Sequence, residues 1–390
     1  MNKKVGIVNA TPFFQDSSGE CYLQPQELKS LEMYFFLGEV TLFKPRLYVD
    51  AMPTGWIKVP QAVKCVATCD TKTFSLIRKL HVQKKISDTC HDIDLYYFRM
   101  PSYESAWAWN VIKNKNIPYF TEVHGDWLQS IENEDKNGWL RKLTRSYRIN
   151  KAKSTLLSML DNSLFVITIG KKMRKYILDN NKPTLATTNH LLDEAEYASP
   201  DIVVKTAQPF DILFVGDIQL RKGMLYLFEA FKSLVAESAN VRLNIVGSGQ
   251  SEAMLKEFVK NNSLQDKVIF HGRIPHGPKL FEHFQCSNVF VLPSVAAETL
   301  PRVTHEAMAM SCPVIATDIG DVATQVENGC GILVEPRDAD GIKNAISRLM
   351  EDQQLYKTLQ DKGFSKSLSL TYEKQKSEIE RFVRNILEND

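Results

Sequence analysis

Glu298 and Glu306 are separated by seven residues. The first falls in a loop and the second lies two turns into a helix, so the unbonded N–H groups of the helix start lie between two carboxylates. Amide N–H groups seat phosphate, and carboxylates accept hydrogen bonds from sugar hydroxyls. A second constellation, Gly216-Asp217-Ile218-Gln219-Leu220-Arg221-Lys222-Gly223, sets two cations before a glycine turn. Two cations there can neutralise a diphosphate through charge-assisted bonds of about 1.5–3 kcal/mol each. A third, Thr121-Glu122-Val123-His124-Gly125-Asp126, ends an apolar run on a histidine. Spacing alone favours plainer assignments: a solvated loop residue at 298, a surface helix residue at 306, a solvated cation at 221 and a structural histidine at 124.

The elements that must position these residues are legible. Val289–Leu292 is a short apolar run suited to a buried parallel strand, and Pro293-Ser294 stops it. Leu300–Met310 has helical spacing, with Leu300, Val303, Ala307 and Met310 on one face. Thr299 is the expected cap, and Pro301 is expected in the first turn, where a missing N–H costs nothing. Pro313–Thr317 is the next strand. The unit is a βαβ crossover, which places ligands at the carboxyl ends of its strands. Arg221 and Lys222 follow another strand, Ile212–Val215. In an extended loop there, Arg221 would point away from Lys222.

Pro293-Ser294, Glu298-Thr-Leu-Pro301, Glu306-Ala-Met-Ala309 and Pro313-Val-Ile-Ala-Thr317 together resemble the retaining glycosyltransferases of family 4, which have the GT-B fold. The resemblance extends with weaker identity over residues 210–350. It implies a nucleotide-sugar donor, a UDP-sugar favoured over a GDP-sugar, and a glycan or lipid-linked saccharide acceptor. Lys222 matches the family's diphosphate-binding lysine in G-R-x-x-x-x-K-G, whose first glycine is Gly216. Asp217 stands where the family has arginine, which leaves Arg221 as the source of a second charge. The resemblance gives Glu306 the ribose hydroxyls and Glu298 the hydroxyls of the transferred sugar. It seats the diphosphate between Lys222 and the N–H groups at Thr299, Leu300 and Pro301. Gly247 opens a G-x-G turn that lets the donor approach the backbone, and Arg273 and Ile274 hold the base mainly through backbone groups. His124 falls at the family's cleft histidine and would hydrogen-bond the donor sugar. The implied catalytic residues are therefore His124, Glu298 and Lys222. No protein nucleophile is needed, and no D-x-D pair is placed to hold a metal, so metal independence is expected.

The chain has 390 residues, 44% hydrophobic and 24% charged, with a net charge of +2, which gives no argument for nucleic-acid binding. It has no apolar run long enough to span a membrane and no signal-peptide pattern, so a cytoplasmic location is expected. Seven scattered cysteines without C-x-x-C read as free thiols. Apolar strands alternate with helical stretches twice over. The first series runs through Val5–Val8, Leu47–Val49, Leu95–Phe98, Tyr119–Val123 and Leu164–Ile169, with Glu27–Leu37 among its helices. This argues for an α/β chain of two Rossmann-like, doubly wound domains: an acceptor-side domain over 1–192 and a nucleotide-sugar domain over 205–369, facing a cleft. Asp193–Pro209 reads as the linker. The tail, 370–390, is expected to return to the first domain. Its N-terminal loop, Asn9–Gly19, is expected to line the acceptor side.

Over 139–160 a basic run (Arg141, Lys142, Arg145, Arg148, Lys151, Lys153) accompanies Trp139, Leu140, Leu143, Tyr147 and Leu156. It reads either as a solvated helix with a buried apolar stripe or as an amphipathic helix on an anionic membrane surface, which would make the protein peripheral on the inner face of the membrane. Two other functions fit parts of the pattern: a sugar-nucleotide epimerase of the same fold, and a non-catalytic sugar-nucleotide-binding subunit, which Asp217 would favour.

Overall fold

The computed structural model describes residues 3–73, 75–132, 143–200, 208–296 and 298–388. The chain divides into two compact units, Met1–Leu191 with Lys376–Asp390, and Leu192–Gln375. The second unit therefore begins before the expected boundary at 205. The start of the expected linker is anchored instead of free. Asp193 and Glu196 form a capping box, the Ala198 N–H bonds Ala309 O at 3.0 Å, and Ser311 Oγ bonds Ala198 O at 2.6 Å.

In the first unit the strands are β1 (Lys3–Val8), β2 (Phe14–Gln15), β3 (Cys21–Leu23), β4 (Gly38–Arg46), β5 (Ile57–Lys58), β6 (Lys64–Asp70), β7 (Leu95–Met100), β8 (Tyr119–Val123), β9 (Val166–Ile169) and β10 (Thr184–Thr187). β10-β9-β8-β7-β1-β4-β6 form one parallel sheet, and β2-β3-β5 a small antiparallel one. Two sequence expectations fail here. The helix expected over Glu27–Leu37 runs only over Pro25–Glu32, followed by a 3-10 turn at Phe35–Leu37. The strand expected at Leu47–Val49 lies upstream, as β4, beginning at Gly38.

In the second unit, β11 (Phe210–Val215), β12 (Val241–Val246), β13 (Val268–Gly272), β14 (Val289–Leu292), β15 (Val314–Thr317) and β16 (Ile332–Val334) form a parallel sheet in the order β13-β12-β11-β14-β15-β16. Every residue of β14 and β15 is buried, as continuous apolar strands between two helical layers should be. Renumbered within each sheet, the second unit runs 3-2-1-4-5-6 and the first 3-2-1-4-5-6-7, the doubly wound order whose direction reverses between strands 1 and 4. The reversal falls between β11 and β14 in the second unit and between β1 and β7 in the first. Ligands of such sheets bind at the carboxyl ends of those strands. Among the described residues no helix is long and apolar enough to cross a membrane.

Candidate functional site

Lys222 follows β11 and Glu298 follows β14, so the two come from opposite sides of the reversal. Lys222 Nζ lies 2.6 Å from Glu298 Oε1, with each side chain 13% exposed. Ser294 Oγ donates to the same Oε1 at 3.0 Å, and Arg221 Nη1 lies 3.7 Å from it. Glu298 is thus no solvated loop residue. Arg221 does not point away either, because Leu220–Lys222 forms a 3-10 turn instead of an extended loop. Its Nε donates to Gln219 Oε1 at 2.9 Å.

Two glycines hold these loops together. Gly223, at φ 71°, packs so closely that a Cβ would lie 1.7 Å from Pro293 O. Gly320, at φ 60°, would bring a Cβ within 1.8 Å of Glu298 O, and the Asp321 N–H bonds that same carbonyl at 3.1 Å. Only glycine fits such an approach with a left-handed φ. The Val295 N–H donates to Arg221 O at 2.9 Å, tying the loop after β14 to the turn after β11. Thr317 Oγ1 bonds Ser294 O at 2.6 Å, linking the same loop to β15.

The helix after Glu298 runs over Arg302–Ala309 and begins later than the sequence suggests. Pro301 is its cap residue in an extended conformation, and neither Thr299 nor another side chain caps it. Pro301 has no N–H, so the first-turn amides are those of Arg302 and Val303, while the Thr304 N–H bonds Pro301 O at 3.3 Å. Leu300 is buried. Glu306 is also buried, and its Oε1 lies 3.2 Å from His276 Nε2. Its expected place on the surface of the helix is not what the fold gives.

Gly216 donates to Val246 O and Gly247 to Gly272 O, which aligns the loops after β11, β12 and β13. Asp217 is exposed, Arg273 is exposed beyond β13, and Ile274 packs partly against the core. An open depression of about 410 Å³ beside β16, lined by Asp318, Glu335, Asp338 and Arg348 among others, contains none of these residues.

His124 belongs to the first unit, at the carboxyl end of β8, and sits on a buried ionic network. Its Nε2 lies 2.7 Å from Glu122 Oε2. Glu122 also accepts from the Tyr34 hydroxyl at 2.7 Å and from the Tyr97 hydroxyl. Arg99 reaches Tyr97 at 3.2 Å, Ser30 at 2.8 Å and Glu27 at 3.1 Å. Lys44 Nζ, fully buried, bonds both Glu27 Oε1 and Asn9 Oδ1 at 2.6 Å. Burial alone would raise the Glu122 pKa, but His124, Arg99 and the Tyr97 hydroxyl hold it down at about 2. Burial pushes Lys44 down to about 8, and Glu27 opposes that shift. Since Glu122 is ionised, the His124 proton facing it is on Nε2, and Nδ1 is the other ring nitrogen.

The network, His276 and Ser294 were not assigned from the sequence. His276 had a signal, a histidine one residue before the Gly277-Pro278 helix start. Beyond His124 the network had none, since its members come from separate stretches between Asn9 and Glu122.

The basic stretch is described from 143 onward, and Trp139, Leu140, Arg141 and Lys142 lie outside the described residues. The helix Arg145–Asp161 buries Ala152, Leu156, Met159 and Leu160 in the core of the first unit and leaves Tyr147 exposed. Of the apolar residues expected on the stripe, Leu156 is a core residue, while Leu143 and Tyr147 are exposed. The cysteines are free, and no group of three or more metal-ligating side chains occurs among the described residues.

Residues 209–352 match the model of the family described as glycosyl transferases group 1. The matched stretch lies within the second unit. The chain is 30% identical over 219 residues to a capsular polysaccharide biosynthesis glycosyltransferase, CapM, of Staphylococcus aureus, a match covering 55% of this chain and 51% of the relative. The chain spans about half or less of the length of the first curated relatives it matches. Among solved structures it superposes on sucrose-phosphate synthase from Thermosynechococcus elongatus with a TM-score of 0.75 at 18% identity, covering 100% of both chains. It superposes on Anabaena Alr3699/HepE, solved in complex with UDP, with a TM-score of 0.71 at 16% identity, also covering 100% of both. The fold is GT-B, as the family resemblance implied.

Proposed function

We propose that this chain is a retaining glycosyltransferase that moves a sugar from a nucleoside-diphosphate donor to a glycan or lipid-linked acceptor, without a metal ion. The observation that carries the reading is the Lys222–Glu298 pair at the strand-order reversal of the second unit, where an anionic ligand of a doubly wound sheet is expected. Lys222 and the first-turn amides after Pro301 are the proposed diphosphate seat, and Glu298 and Glu306 the proposed acceptors for sugar and ribose hydroxyls. Arg273 and Ile274 are the proposed base contacts, and His124 the proposed hydrogen-bond partner of the transferred sugar. The acceptor oxygen attacks the anomeric carbon on the face that the phosphate leaves, and a phosphate oxygen takes the acceptor proton. Lys222 stabilises the charge that develops on that phosphate. Uridine is the favoured base, supported by UDP in the HepE structure, and a glycan acceptor is supported by the name of the CapM relative.

A thermal-shift series with UDP, GDP and ADP, each with and without EDTA, tests the donor class. A nucleotide at 100 times its Kd adds about 2.7 kcal/mol of stability, and an EDTA-insensitive shift with one base is the expected outcome. No shift with any of them would overturn the reading. Glu306→Ala should keep the fold and lose about 10²-fold in kcat/KM, or about 2.7 kcal/mol. Near-normal activity would remove Glu306 from the site.

A further inference from the structure

We propose that Glu298 makes the site select the sugar ester of a nucleoside diphosphate over the free nucleoside diphosphate, so that the spent nucleotide is expelled once its sugar has gone. The inference rests on the donor-binding reading above and adds to it.

Glu298 touches the cation that would hold the diphosphate. Its Oε1 lies 2.6 Å from Lys222 Nζ, fixed by Ser294 Oγ at 3.0 Å, and backed at 3.7 Å by Arg221. Its backbone is held by Asp321 and by the glycine packing at 320. Any phosphate oxygen bonded to Lys222 Nζ therefore lies no farther than about 5.4 Å from a carboxylate oxygen. Lys222 and Glu298 are each only 13% exposed, so solvent and salt screen them little. Arg221, 48% exposed, is the more screened of the two cations.

The two ligands differ at this spot. In a nucleotide sugar each phosphate carries one ester and one anhydride bond and so a single charge, and the sugar presents hydroxyl donors to a carboxylate. In the free nucleotide the terminal phosphate is joined only through the anhydride, and its second ionisation falls near pH 6, so at neutral pH it carries close to two charges. It brings Glu298 more negative charge and no hydroxyl in return. Lys222, already paired to Glu298, has less to give that extra charge than a free lysine would. Transfer thus converts a ligand that Glu298 holds into one that it repels.

Calorimetric titration of the full chain and of Glu298→Gln with UDP and UDP-glucose tests this, with GDP and GDP-mannose used if the uridine pair does not bind. The variant should bind UDP about tenfold more tightly than wild type and bind UDP-glucose no more tightly. The gain for UDP should shrink at about pH 5.5, where the terminal phosphate loses charge. Equal or weaker UDP binding by the folded variant overturns the proposal. Should the variant fail a thermal-unfolding check, wild type is titrated with UDP and with its terminal methyl phosphate ester. The ester, lacking the extra charge, should bind at least as tightly, and tenfold tighter binding of UDP overturns the proposal. If wild type binds none of these ligands, the donor reading itself fails.

Discussion

Gly320→Ala reaches Glu298 without altering a single side chain of the site. The new Cβ would lie 1.8 Å from Glu298 O, where contacts under 3.0 Å essentially never occur, so the carbonyl must retreat by over an ångström. Alanine at a left-handed φ costs about 1.5 kcal/mol by itself. Losing the Asp321 N–H bond to that carbonyl adds about 1 kcal/mol, and the forced backbone shift a similar amount, for a total of about 4 kcal/mol. Gly272→Ala isolates the first contribution, because Gly272 has φ 69° and nothing within 4 Å of its Cβ. In a unit of this size each kcal/mol lowers Tm by about 2–4 °C, so the expected losses are about 12 °C for Gly320→Ala and about 4 °C for Gly272→Ala. A displacement of about 1 Å at a positioning group is also expected to cost on the order of 10²-fold in rate. Differential scanning calorimetry and the rate of UDP release from UDP-glucose measure the two effects. If Gly320→Ala melts with Gly272→Ala and keeps the wild-type rate, the claim that this turn positions Glu298 is wrong.

Three other perturbations are directly measurable. His305 is buried 2.8 Å from the Tyr197 hydroxyl, and burial lowers its pKa from 6.5 to about 3. The unfolded chain binds that proton first, so stability is full above pH 6.5 and falls as pH drops toward 3, by about 2 kcal/mol at pH 5. His305→Asn should flatten that slope in urea titrations, and an unchanged slope would exclude His305 as its source. Glu122, held at about 2 against an ordinary 4.5, stabilises the first unit above pH 4.5 and loses that contribution as pH falls toward 2. Glu122→Gln should therefore lower stability at pH 7 far more than at pH 3, and an equal loss at both would contradict the ionic account. If the basic stretch meets an anionic membrane, as one reading of its sequence expects, charge reversal at Arg145, Arg148 and Lys151 should abolish pelleting with anionic vesicles, each cation contributing about 1 kcal/mol. Wild type that does not pellet would retire that contact.

The second unit was the more legible. Its strands are short and mostly apolar, and Val289–Leu292 lies where its apolar run puts it, with Ile212–Val215 and Pro313–Thr317 within two residues of the observed strands. The first unit hid a central strand. β4 contains Lys44 and Pro45, which argue against a buried strand, yet Lys44 is buried because Glu27 and Asn9 satisfy it. That compensation comes from residues far away in sequence, which local pattern cannot show. The same limit applies to the site. Lys222, Glu298 and Glu306 could be named from motif and spacing, but their partners could not. Ser294, His276 and Glu122 acquire meaning only when strand order brings loops together. The helix start moved for a local reason, since Pro301 takes an extended conformation at the cap and leaves Arg302 to open the helix.

The helix Tyr372–Leu387 passes from one unit into the other within its own length, at Gln375 and Lys376. Its far end supplies Phe382, edge-on to Phe165 at 5.6 Å, and Arg384, 5.3 Å above the Phe36 ring. The first unit is therefore completed by residues that are made after the whole of the second. During synthesis the first unit waits for the partners of Phe165 and Phe36 while the whole second unit is made, and it closes only after Phe382 and Arg384 have emerged. A stop codon at Lys376 would spare every proposed ligand-binding residue and still leave the first unit unfinished.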